Sequence, residues 1–254
     1  MIPIKDDNPT ISTPWAAYIL IGLNIASWIW LQGLGMNPVL PISVCRYGAI
    51  PGVLLGSLGP GDVIPLAPGI NFPVRYNLHW LTVLTHMFMH GGWLHILGNM
   101  WFLYVFGDNV EDAMGSARFF LFYVLCGLVS LALQTMMNPG SPMPMVGASG
   151  AISGVMGAYI ILYPRAPVHM LLFFGFFFTR VVVPAFFMLG YWFIIQLLGG
   201  FFTLGSSTGG VAFWAHVGGF IAGIIFIYPF CDPHRRESCR MRRGVLDGMI
   251  KRVR

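Results

Sequence analysis

Apolar side chains run almost without interruption through six stretches of this chain, residues 15–34, 92–106, 117–137, 147–163, 181–200 and 211–230. Most approach the ~20 residues that a helix needs to cross a bilayer, and polar or turn-forming residues separate them, so the pattern predicts six membrane helices. Residues 168–178 form a further apolar run between Pro167 and Arg180. It is about half a span long and predicts an interfacial or packed segment rather than a crossing. Between the first two stretches, residues 35–91 hold seven of the eighteen prolines and many glycines, yet much of the segment stays apolar. That combination predicts a long structured loop lying on or dipping into one leaflet, with residues 80–90 apolar enough to sit at membrane depth.

Composition sharpens this picture. Hydrophobic residues make up 56% of the 254 and charged residues 9%, whereas about a quarter of a soluble domain is charged. The expectation is an all-α polytopic membrane protein, one domain over residues 1–254, with its core at about residues 80–230 and a basic tail at 231–254. Residues 1–14 lack the basic start and small-residue cleavage site of a signal peptide, so the first span is expected to be retained. Eight of the fourteen lysines and arginines follow the sixth stretch, and Lys5, Arg118, Arg165 and Arg180 fall on the same predicted face, leaving Arg46 and Arg75 opposite. Excess positive charge marks the cytoplasmic side, so both termini are expected there. The tail can also touch anionic lipid, and no nucleic-acid partner is expected. Four scattered cysteines suggest no disulfide framework. Cys231, His234 and Cys239 match no common zinc spacing, and no metal or cofactor is expected.

Candidate chemistry lies where hydroxyl, imidazole and amide groups interrupt these stretches. The fourth opens with Gly147, Ala148 and Ser149, and Gly150, Gly154 and Ala158 follow as a small-residue face. The sixth repeats that face with Ala215, Gly219 and Gly223 beside His216. Small faces let two helix backbones approach closely, which would bring the Ser149 hydroxyl within reach of the His216 imidazole as nucleophile and base. His95 and Asn99 in the second stretch are spaced i, i+4 and share a helix face. By topology all four polar side chains fall at one depth. They can supply oxyanion donors together with the Ser149 backbone N–H. None of the nine acidic residues falls within a predicted span, so the pattern favours a Ser-His pair over a triad with a carboxylate.

These residues together resemble the rhomboid family of intramembrane serine proteases. Gly147-Ala148-Ser149-Gly150 is similar to the family's G-x-S-G, Ala215-His216 with Gly219 and Gly223 to its A-H-x-x-G-x-x-x-G, and His95 to Asn99, preceded by His90, to its H-x-x-x-N. The resemblance implies a bundle of six transmembrane helices with a long, partly embedded loop between the first two. It also implies cleavage of membrane-protein substrates in or beside a transmembrane segment, preferably where Gly or Ala loosens the helix. Ser149 and His216 would be catalytic, His95 and Asn99 oxyanion partners, and His90 and Glu111 structural. A bacterial-type plasma membrane, with the site open toward its outer face, is the implied location. The chain departs from some relatives at Ser153, where they carry an aromatic that stacks on the histidine, and at Leu81-Thr82, where they carry Trp-Arg. A relative that binds membrane clients without cutting them is the competing expectation, and His86, His90 and His95 as a metal site a weaker one.

Overall fold

The computed structural model describes residues 2–67, 70–74, 79–174, 177–203, 210–235 and 237. The chain enters through strand β1 (Ile2–Asp6) and helix α1 (Trp15–Trp30). The segment that follows holds α2 (Val39–Tyr47), α3 (Pro51–Leu54), the hairpin strands β2 (Val63–Ala67) and β3 (Ile70–Pro73), and α4 (His79–Thr85). Next come α5 (Trp93–Met114), α6 (Ser116–Met137) and α7 (Ser149–Leu162). Strands β4 (Pro167–Phe174) and β5 (Phe177–Pro184) precede α8 (Ala185–Phe202) and α9 (Phe213–Phe230). The protein is mostly helical. Helices α6, α8 and α9 are long and apolar enough to cross a membrane, and α1 and α7 are shorter apolar helices.

Three features differ from the sequence pattern. The all-α expectation gives way to two small sheets: β2 pairs with β3 inside the 35–91 segment, and residues 168–178 are not an isolated interfacial segment. They supply β4 and open β5, and the two pair antiparallel from Pro167 opposite Pro184 to Phe174 opposite Phe177. β1 completes the sheet on the other edge of β4. The β-branched run Val181-Val182-Val183 therefore lies in a strand, and the next helix begins only at Ala185, after Pro184. The helix after residue 92 does not stop near Phe106 but continues to Met114, so Asp108, Glu111 and Asp112 lie inside it. Most of the predicted loop at 205–210, up to residue 209, and most of the basic tail lie outside the described residues, as does Arg75.

Those carboxylates are tolerated because other segments use them. The first turn of a helix carries backbone N–H groups without intrahelical partners, and these attract an anion. Glu111, 1% exposed, accepts from the Ala16 and Ala17 amides of α1 at 3.0 and 2.8 Å and from the Ser116 hydroxyl at 2.5 Å. Asp112 accepts from the amides of Ile11 and Ser12. At the same end, Tyr159 near the close of α7 donates to Asp6 and accepts from the Asn8 amide at 2.8 Å. The Asp232 amide bonds the Ala113 carbonyl at 2.9 Å, and its carboxylate lies 3.5 Å from Arg118. The N-terminal segment and the end of α9 thus meet at the α5–α6 corner.

Helix α7 lies at the centre, buried along its whole run from Gly150 to Tyr159 and packed against α5, α6, α8 and α9. Its glycines set the spacing. A β-carbon built on Gly219 would fall within the carbonyl oxygen of Gly150, one on Gly223 within that of Gly154, and one on Gly157 within that of Phe220. α7 and α9 therefore meet backbone to backbone, and the small faces on both are the reason they can.

Candidate active site

Ser149 is the first residue of α7, and the chain enters it through Gly147, whose φ of +124° favours glycine. The loop before it is pinned from the other side of the fold. Met145 and Ala49 exchange backbone hydrogen bonds at 2.7 and 2.9 Å, and the Gly147 amide bonds the His86 carbonyl at 2.9 Å. His86 is held in turn through its Nδ1 and the Thr82 carbonyl, 3.0 Å apart. Gln32 clamps the His90 backbone on both sides: its Oε1 accepts the His90 amide at 2.8 Å and its Nε2 donates to the His90 carbonyl at 2.6 Å. Burial pushes the His86 imidazole down to about 4 and that of His90 to about 3, so both are neutral near pH 7, and the His90 ring meets His95 edge to face at 5.1 Å between centroids.

The first turn of α9 faces that of α7. Gln134 of α6 accepts the Ala215 amide at 3.1 Å, satisfying one of the free donors at the α9 start. The next residue, His216, places Nε2 2.8 Å from Ser149 Oγ. Both side chains are only partly buried, although Ala148, Gly150, Ala215 and Val217 around them are fully so. The hydroxyl and the ring nitrogen are within hydrogen-bond distance, and the tautomer of His216 sets which of them donates.

His95 and Asn99 lie one turn apart on α5. The Gly91 amide donates to His95 Nδ1 at 3.3 Å. In the neutral ring the other nitrogen, Nε2, then carries the proton. That nitrogen and Ser149 Oγ border the same small space, since a β-carbon on Gly147 would stand 2.7 Å from the first and 3.5 Å from the second. Asn99 is 8% exposed and its Nδ2 has no protein partner, an uncommon condition for a buried amide donor. Gly150 leans against Ser130 of α6, where a β-carbon would strike the hydroxyl.

Two α8 residues at the site do not figure in the sequence expectations. Gln196 Oε1 lies 2.8 Å from His216 Nδ1, and the Trp192 ring lies against the imidazole at 5.7 Å between centroids and 39° between planes. Ser153, fully buried, donates to the Ser149 carbonyl at 2.6 Å. A lone amide in an otherwise apolar helix was the available signal for Gln196. Among the described residues, no three His, Cys, Asp or Glu side chains come together as a metal-binding group.

A hydroxyl–imidazole contact set among apolar helices, three of them long and apolar enough to cross a membrane, belongs to an integral membrane protein. Residues 77–233 match the rhomboid domain family, and the chain belongs to that family. It is 33% identical over 94 residues to the putative rhomboid protease YdcA of Bacillus subtilis, covering 37% of this chain and 46% of that protein. Identity to the chloroplastic Rhomboid-like protein 11 of Arabidopsis thaliana is 32% over 92 residues, 36% of this chain and 31% of that one. With the rhomboid protease GlpG of Haemophilus influenzae it is 28% over 155 residues, 61% of this chain and 71% of that one. The aligned stretches thus span less than half the length of the first two relatives.

Proposed function

We propose that this chain is an intramembrane serine endopeptidase that hydrolyses peptide bonds in or beside the transmembrane segments of membrane proteins. The observation that carries this reading is the 2.8 Å contact between Ser149 Oγ and His216 Nε2, made where two apolar helices meet through glycine. Ser149 attacks the scissile carbonyl carbon as His216 Nε2 takes its proton. His216 then returns that proton to the leaving amine, and water hydrolyses the acyl enzyme by the same route in reverse. Negative charge developing on the carbonyl oxygen meets His95 Nε2–H, Asn99 Nδ2 and the Ser149 amide, donors fixed before the reaction begins. Gly147 leaves the space such an oxygen needs, and Gly150, Gly219 and Gly223 keep α7 and α9 close enough for the pair to touch.

The accompanying topology is six crossings, by α1, α5, α6, α7, α8 and α9, with residues 35–91 as a partly embedded loop and residues 1–254 as one domain. We place both termini in the cytoplasm and the site near the outer face of a bacterial-type plasma membrane. The gathering of β1, Glu111, Asp112 and Asp232 at one end, opposite Ser149 and His216, supports that arrangement. Substrates with Gly or Ala in the transmembrane segment suit it, because a helix must open before its carbonyl can be reached.

The test is incubation of purified protein, in detergent and in liposomes, with a fluorophosphonate and with a reporter carrying a Gly/Ala-rich transmembrane segment. One covalent adduct located at Ser149, together with cut reporter, is expected. No adduct and no cleavage across several such segments would sink the proposal and favour a client-binding relative. Asn99→Ala is expected to slow cleavage roughly a hundredfold, as loss of one oxyanion donor does, with the thermal midpoint unchanged. An unaltered rate removes Asn99 from the oxyanion site.

A further inference from the structure

Helix α8 brings one side-chain amide to the site, and burying an amide among apolar groups is unfavourable unless it is bonded. Gln196 is 7% exposed and has two contacts. Its Nε2 donates to the Trp192 carbonyl one turn earlier at 3.4 Å, and its Oε1 lies 2.8 Å from His216 Nδ1. Each contact determines the other. Were the amide reversed, its oxygen would face the Trp192 carbonyl oxygen, two acceptors with no proton between them. Oε1 is therefore the atom that faces His216, and an acceptor there requires the proton on Nδ1. A neutral imidazole protonated at Nδ1 leaves Nε2 bare, and Nε2 is the atom 2.8 Å from Ser149 Oγ. Trp192, on the same face of α8, limits the tilt of the ring.

We infer that Gln196 is a positioning residue for the Ser149–His216 pair, accepting the Nδ1 proton of His216 and so holding the tautomer whose Nε2 takes the serine proton. The inference rests on the proposed proteolytic role of that pair. It assigns to a neutral amide the orienting part that a carboxylate plays in a Ser-His-Asp triad, and it explains how an imidazole is held where, among the described residues, no acidic side chain is bonded to it. Ser153 leaves the α7 side of the ring without an aromatic, and α8 supplies both the acceptor and the flat surface from the other side.

Three variants in one preparation test it: Gln196→Met, Gln196→Glu and Ser149→Ala. Methionine keeps length and suits an apolar helix but cannot accept the proton. It is expected to lower kcat about tenfold, the size of one lost hydrogen bond, with KM changed less than about twofold. Glutamate keeps the acceptor and is expected to restore the rate on the alkaline plateau. There the Glu–His pair holds its first proton to higher pH than a Gln–His pair, so the acid limb of kcat/KM moves up by about one pH unit or more. The same profile can be taken from the rate of fluorophosphonate labelling of Ser149, which needs no peptide substrate. A residue that merely packed α8 against α9 would leave that limb in place. If Ser149→Ala is dead while Gln196→Met matches wild type and the Gln196→Glu limb does not move, the Gln196 inference fails alone. If Ser149→Ala still cleaves, the pair itself is not catalytic and the inference falls with it.

Discussion

Ser149→Ala is expected to lower cleavage of a Gly/Ala-rich transmembrane reporter by at least about a thousandfold, His216→Ala to do the same, and the double variant to be no slower than either. The reasoning is that the two side chains perform one act. Ser149 Oγ and His216 Nε2 are 2.8 Å apart, and a hydroxyl is a weak nucleophile until a base takes its proton. Removing either partner removes the whole step, so the second deletion has nothing left to cost. Ser149→Ala deletes one oxygen at a helix start and should leave the thermal midpoint within a degree or so. His216→Ala is harsher, because it strips Gln196 Oε1 of its partner and takes a ring from beside Trp192. Folding is therefore checked by midpoint, and the kinetic reading uses only variants that keep it. Losses that multiply in the double variant would mean that the two residues act in separate steps. A Ser149→Ala protein as fast as wild type would mean that the nucleophile lies elsewhere.

How much of this could be seen before folding depends on whether a residue's partner is near in sequence or of a kind that repeats. The small faces Gly150, Gly154, Ala158 and Ala215, Gly219, Gly223 were legible because helical spacing displays them, and their meeting follows from having two such faces. Ser149 and His216 stood out as polar groups in apolar stretches for the same reason. The sheet was not legible. An apolar run such as residues 168–178 fits a buried strand or a piece of helix equally well by periodicity. Its second partner, β1, lies far away in sequence, at residues 2–6. The true end of α5 was hidden similarly. Asp108, Glu111 and Asp112 look like a stop signal until the amides of residues 11–17 arrive to use two of those carboxylates. Gln196 carried a local signal, a single amide in an apolar span, but its purpose depends on a ring presented by the next helix.

Gly223→Leu is expected to abolish cleavage and to prevent recovery of folded monomer in detergent, although Gly223 lies almost two turns along α9 from His216. Most overpacked positions relax by a change of rotamer and cost roughly 1–3 kcal/mol. Here the obstacle is backbone: the β-carbon itself would fall within the carbonyl oxygen of Gly154, and no side-chain rotation moves that atom. The helices must separate, and in a membrane, where lipid is as apolar as leucine, close packing is much of what holds them together. Gly223→Ala adds the same first carbon and nothing more. It is expected to fold with a lowered midpoint yet to cleave about a hundredfold more slowly, because a displacement of about an ångström suffices to misplace reacting groups. Gly190→Ala on α8 is the matched control, since a β-carbon there meets nothing within 4 Å and alanine favours the helix. It should leave both midpoint and rate intact. Wild-type cleavage by Gly223→Leu would show that α7 and α9 can part without disturbing the site, and the account of how glycine spacing holds Ser149 against His216 would have to be abandoned.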